Sequence, residues 1–138
     1  MTEAMTTKPL FRKVDCVMLR VQDLDAAVEF YASALGHPVV WRTPEAAGLG
    51  MPGTDAELVL HTRLGPEVDM LVERVEDAFE RFLAAGGQAI APPFDIPIGR
   101  CAVVRDPFGN TLVMLDQTKG ALLTDDAGQV TGVGKPPA

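Results

Sequence analysis

Residues 21–37, VQDLDAAVEFYASALGH, can be laid on residues 72–88, VERVEDAFERFLAAGGQ, without a gap at an offset of 51 residues. A match of that length means that one supersecondary unit is built twice, each copy leaving an apolar face for the rest of the chain to cover. In the first copy Leu24, Ala27, Val28 and Tyr31 sit at i, i+3, i+4 and i+7, and Val75, Ala78, Phe79 and Phe82 repeat the spacing in the second. That period defines amphipathic helices with equivalent buried faces. Gly36 and Gly87 fall just past the two helix ends, where a left-handed cap favours glycine. Asp23 is a suitable N-cap for the first helix, whereas its counterpart Arg74 cannot accept the capping bond.

Each helix follows an alternating segment, VDCVMLRV at 14–21 and EVDMLV at 67–72, with the period-2 pattern of a strand that has one face on a core. Three short strands are expected after each helix. In the first copy they are 38–43, 47–51 and 57–61, and in the second 88–91, 100–105 and 111–115. Leu58-Val59-Leu60 matches Leu112-Val113-Met114 at an offset of 54, so a loop grows by three residues between the copies. Turns are expected at Pro52-Gly53, Gly65-Pro66, Pro92-Pro93 and Asp106-Pro107-Phe108-Gly109-Asn110. The reading is an α+β chain of two tandem βαβββ modules, at about 12–63 and 66–117, in a single domain over 1–138. Residues 118–138 fall outside the repeat, and LLTDDAGQVTGV within them reads either as a hairpin around Asp-Asp-Ala-Gly or as an irregular tail.

At 138 residues and 47% hydrophobic content the chain can bury one proper core. A net charge of -7, with Lys8, Arg12 and Lys13 as the only notable basic group, argues against nucleic acid as a partner, because phosphate binding needs a concentrated positive surface. No apolar run is long enough for a membrane span or shaped like a signal peptide. Two distant cysteines, Cys16 and Cys101, suit reduced thiols, so a cytoplasmic location is expected.

The segment VDCVMLRVQDLDAAVEFYASALG at 14–36, taken with RDPFGN at 105–110, resembles the vicinal oxygen chelate superfamily, the group of glyoxalases, bleomycin-resistance proteins and extradiol dioxygenases. The resemblance covers about residues 12–117 and implies an open, cupped mixed β-sheet with a ligand in the cup, commonly in a homodimer. It also implies where a divalent metal sits in the family's enzymes: on the first and last strands of each module. The corresponding positions here are Cys16, Val59, Glu67 and Val113. Valine has no donor atom, and a lone thiol with a lone carboxylate is a poor divalent site, so no metal and no other cofactor is expected.

Strand alternation places His61 on the face of Val59 and Asp69 on that of Glu67, which leaves a displaced set of Cys16, His61 and Glu67 to be tested. Cys16 also reads as a small apolar core residue, His61 as a strand-end surface residue, and Glu67 as the solvated start of a strand. The cup face is expected to carry Met18, Arg20, Val59, Leu71, Val113 and Leu115, with Trp41 and Phe94, the latter in a loop, available to stack on a flat ligand. The resulting expectation is a metal-free protein binding a small organic molecule through Cys16, Met18, Arg20, Trp41, Val59, His61, Glu67, Asp69, Phe94 and Val113. The alternative is a lyase, isomerase or dioxygenase of the same superfamily that uses a displaced metal or acid-base catalysis by a carboxylate. No catalytic residue is assigned from sequence.

Overall fold

A computed structural model describes residues 8–135. In module one, β1 (Lys13–Arg20) leads into α1 (Leu24–Val28), a π-helical continuation (Glu29–Ala34), β2 (Val39–Arg42), β3 (Ala46–Met51) and β4 (Thr54–His61). Module two repeats the order with β5 (Glu67–Leu71), α2 (Val75–Ala84), β6 (Gln88–Ile96), β7 (Gly99–Arg105) and β8 (Thr111–Leu115). The eight strands form one sheet in the order β2-β3-β4-β1-β5-β8-β7-β6. The order reads the same from either edge once β1 is equated with β5 and β4 with β8, which is the two-fold arrangement that a duplicated βαβββ unit demands.

Both helices lie on one face. Leu24, Ala27, Val28 and Tyr31 pack with Ala47, Leu49 and Leu60, and Val75, Ala78, Phe79 and Phe82 pack with Ala102, Val104 and Met114. The two periodic stripes are thus the buried stripes. The opposite face carries two further clusters, Cys16, Met18, Val59 and Trp41 in module one and Leu71, Cys101, Val113 and Leu115 in module two. Among the described residues no helix is long and apolar enough to cross a membrane.

Helix caps explain where the repeat breaks. Asp23 Oδ1 accepts from Ala26 N at 3.0 Å, as its position predicts. Arg74 makes no side-chain cap, and its role passes to Asp116 at the end of β8, whose Oδ2 accepts from Val75 N at 2.8 Å. At the helix ends the positive-φ glycines are Gly36 and Gly86, not Gly87. The equivalence that holds at offset 51 at the caps has therefore slipped to 50 at the helix ends. A π turn absorbs one residue more than an α turn, and the π-helical segment of module one accounts for the slip.

Pro92-Pro93 does not form a turn. β6 runs through it to Ile96, and the turn lies at Pro97-Ile98. β6 is an edge strand with a register shift between Ala91 and Phe94, so neither proline has to donate to a ladder. Phe94 consequently sits in a strand and not in a loop. After β8 the chain forms a hairpin of β9 (Ala121–Thr124) and β10 (Val130–Gly134). Arg42 N donates to Gly128 O at 2.8 Å, tying the hairpin's tip to β2 on the far side of the cup.

Candidate functional site

The hairpin and the helix-free face of the sheet enclose a cavity of about 380 Å³. Its floor comes from Cys16 and Met18 of β1, Val59 and Glu57 of β4, and Asp69 of β5. Val40 and Trp41 of β2 form one wall, and Ile98, Gln117, Ala121, Leu122 and Thr124 form the roof and rim. A smaller cleft of about 140 Å³ lies outside, between the N-terminal segment and α2.

At the centre of the sheet β1 and β5 run antiparallel, with Cys16 opposite Asp69 and Met18 opposite Glu67. Cys16 and Glu67 are equivalent in the repeat, but the two-fold axis between the strands makes Asp69 the spatial neighbour of Cys16. The Cys16 thiol donates to Asp69 Oδ2 at 3.4 Å, while Asp69 Oδ1 is buried beside Glu67 and no donor group reaches it. Burial, followed by the nearby Glu67 carboxylate, pushes the Asp69 carboxyl up to about 8, against a lowering by the Cys16 thiol. Burial and the adjacent Asp69 in turn drive the Cys16 thiol far upward, so it is held protonated.

Three further acidic side chains, Asp15, Asp55 and Glu57, line the same space. Glu57, in register with Cys16, accepts from Trp41 Nε1 at 2.6 Å, and burial raises its carboxyl despite that bond. Asp15 enters through the register shift between Val14 and Cys16, and burial raises it too. Lys13 Nζ is engaged by Asp55 Oδ2 at 2.6 Å. The Trp41 indole lies across Gly48, where any Cβ would overlap the ring, so glycine at that position sets the wall of the cavity.

Of the expected site residues, Cys16, Met18, Trp41, Val59 and Asp69 line this cavity. Val113 is buried beside Asp69 on the same face, within the module-two cluster. Arg20 ends β1 exposed and outside the cavity, because the cup closes over the first half of that strand. His61 is turned to its own loop, where Nδ1 accepts from Arg63 N and Leu64 N at 3.0 and 3.1 Å. Phe94 is 41% exposed on the edge strand, and Glu67 is half-buried beside Asp69 without lining the cavity. Sequence reasoning passed over Glu57, although its place two residues before Val59 puts it on the cup face. Asp15 and the hairpin residues carried no such signal, since a bulge and a tertiary docking placed them. RDPFGN is a tight turn in which Asp106 Oδ1 accepts from Phe108 N and Asn110 N at 2.8 and 2.9 Å.

A divalent ion does not fit this donor set. Val59 and Val113 offer no ligand atom, and His61 is committed elsewhere. Among the described residues no three His, Cys, Asp or Glu side chains converge in a way that would hold a metal.

A palindromic eight-stranded sheet from two βαβββ units, cupped on the face away from its helices, defines the paired-module class of α+β folds. The pattern of the Glyoxalase/Bleomycin resistance protein/Dioxygenase superfamily matches residues 13–114, and the chain belongs to that superfamily. No curated protein sequence matches it. Among solved structures, methylmalonyl-CoA epimerase from Mycobacterium tuberculosis superposes with a TM-score of 0.69 at 20% identity, covering 81% of this chain and 92% of that one. The Streptomyces coelicolor methylmalonyl-CoA epimerase gives 0.65 at 17% identity, covering 78% and 99%. The Mn(II)-bound glyoxalase from Novosphingobium aromaticivorans gives 0.58 at 18% identity, and this chain spans 94% of itself but only 43% of that protein. At these identities the likeness is one of fold.

Proposed function

We propose that the protein binds a small organic molecule in the cup beneath the C-terminal hairpin, without the divalent metal of the superfamily's enzymes. The observation that carries this reading is the cavity itself. It is about 380 Å³, within the range of small-molecule sites, and it joins an apolar surface of Met18, Val59, Trp41 and Leu122 to a few polar groups. The two valines at metal-ligand positions turn a coordination sphere into apolar surface. A homodimer is the assembly expected from the family, and sedimentation of the purified chain tests it.

Metal analysis of protein purified without chelators tests the metal-free reading. Less than about a tenth of an equivalent of zinc, nickel, manganese or iron is expected, with no change in Tm on adding EDTA. Near-stoichiometric metal that is lost in Cys16→Ala or Glu67→Ala would overturn it.

A second reading, acid-base catalysis as a lyase or isomerase, is favoured by one feature. Asp69 is a buried carboxyl raised toward neutrality at the floor of a cup, the environment of a general acid or base. Exchange of solvent deuterium into a bound carbonyl compound, abolished in Asp69→Asn, separates a catalyst from a binder.

A further inference from the structure

The hydrogen-bonding capacity left open on the floor of the cup is one-sided. Asp69 is 6% exposed, its Oδ2 takes the Cys16 thiol hydrogen at 3.4 Å, and its Oδ1 is buried with no donor. Buried polar atoms in native proteins are satisfied with few exceptions, and an orphan on the wall of a cavity marks the place where a ligand supplies the missing group. The two donors nearest the floor are already directed at other carboxylates, Lys13 Nζ at Asp55 and Trp41 Nε1 at Glu57, and the remaining polar side chains, Gln117 and Thr124, lie at the rim. Asp15 adds a further acceptor. Burial disfavours the charged form of Asp69, Glu57 and Asp15, and a ligand that brings N–H donors and positive charge supplies the compensation that lets these groups ionise and accept. The rest of the wall, Met18, Val59 and the Trp41 ring, is apolar and includes an aromatic surface that attracts cations and flat ring systems.

We infer that the cup takes an organic cation with N–H donors on an apolar or aromatic body, its nitrogen bonded to Asp69 Oδ1 and its body against Trp41 and Met18. This rests on the reading of the cup as a binding site and narrows it to one chemical class. The orphaned oxygen fixes the orientation: the charged end points to the centre of the sheet, and the body extends toward the hairpin.

Trp41 is the only tryptophan in the chain, so its emission reports on the cup directly. The full-length protein is titrated with a matched panel of arylmethylamines and arylguanidines, together with the alcohols and carboxylates of the same aryl skeletons. Trp41 emission and Tm are followed for each. The expected result is that the cations change Trp41 emission and raise Tm with at least tenfold lower Kd than the matched alcohols, while the carboxylates do not bind. Asp69→Asn, close to isosteric, is expected to remove that tenfold preference. Glu57→Gln provides a second variant, expected to weaken the cations by a smaller factor and to leave the alcohols unchanged. Alcohols or carboxylates binding as tightly as the cations would overturn the cationic class while leaving the cup as a binding site. Cations binding Asp69→Asn as tightly as the parent would overturn the anchor. If no member of any class moves either readout, the cup reading itself falls, and the inference falls with it.

Discussion

Cys16 and Asp69 meet across the central strand pair, the thiol donating to Asp69 Oδ2 at 3.4 Å, with 4% and 6% of the two residues exposed. Only the thiolate reacts with alkylating agents. Burial pushes the Cys101 thiol up to about 12 and carries Cys16 in the same direction, with Asp69 adding to both. Native protein at pH 8 is expected to resist iodoacetamide at both cysteines, at least about a hundredfold more slowly than a free thiol of ordinary pKa. Both label on unfolding. Mass spectrometry of the labelled protein checks this, and rapid native labelling of Cys16 would contradict the buried pair.

Asp69 also sets a pH dependence of opposite sign to that of an ordinary carboxylate. In the fold it keeps its proton to about 8, and in the unfolded chain only to near 3.8. Between those values the folded protein holds the extra proton, so rising pH favours unfolding. The cost begins above pH 4, grows toward pH 8 and then levels off. Denaturant titrations at pH 5 and pH 8 are expected to show Asp69→Asn losing less stability over that interval than the parent, by at least about 1 kcal/mol. Equal pH slopes would show that Asp69 is ionised in the fold.

Asp116 has the reverse role. It is fully buried, and its carboxylate accepts from Val75 N, Arg100 N and Thr118, joining the start of α2 to β7 and to the chain after β8. Burial raises its pKa, but these bonds together outweigh that and hold it below the ordinary value. Its stabilisation is present above about pH 4 and is lost as pH falls through the depressed value. Asp116→Ala is expected to cost about 3 kcal/mol in urea denaturation, because several donors lose an ionised acceptor at once. Gly99→Ala is expected to destabilise as well, since its Cβ would strike the Asp116 carboxylate and backbone. A loss under about 1 kcal/mol for Asp116→Ala would contradict the role.

The hairpin roofs the cup through Ala121, Leu122 and Thr124, and is anchored by the bond from Arg42 N to Gly128 O. Gly120 enters it with φ +136, and a Cβ there would overlap Gly134 O. Removing residues 120–138 is expected to shift Trp41 emission to longer wavelength and to weaken any cup ligand at least about tenfold, a loss of about 1.4 kcal/mol. The helix signal in circular dichroism is retained, because both helices pack on the other face. An unchanged Trp41 spectrum would mean that the roof does not shield the cup.

The sequence by itself determined the duplication, the order of elements and the two helix stripes. Periodicity is a local property, and Leu24 to Tyr31 and Val75 to Phe82 write it within about two turns. The family resemblance, also read from the sequence, leads to the expectation that Val59 and Val113 stand where the superfamily's enzymes place metal ligands. The fold decided what depends on antiparallel pairing and on docking. A two-fold axis sets Cys16 against Asp69 and not against its repeat equivalent Glu67, and a one-residue bulge brings Asp15 into the cup. Loop capture takes His61 away, and an edge strand absorbs Pro92-Pro93 and carries Phe94 with it. A distant aspartate supplies the cap that Arg74 cannot. The cup takes its carboxyl groups, its tryptophan wall and its roof from segments far apart in sequence. No local pattern records those contacts, because their partners are chosen by the packing of one module against the other.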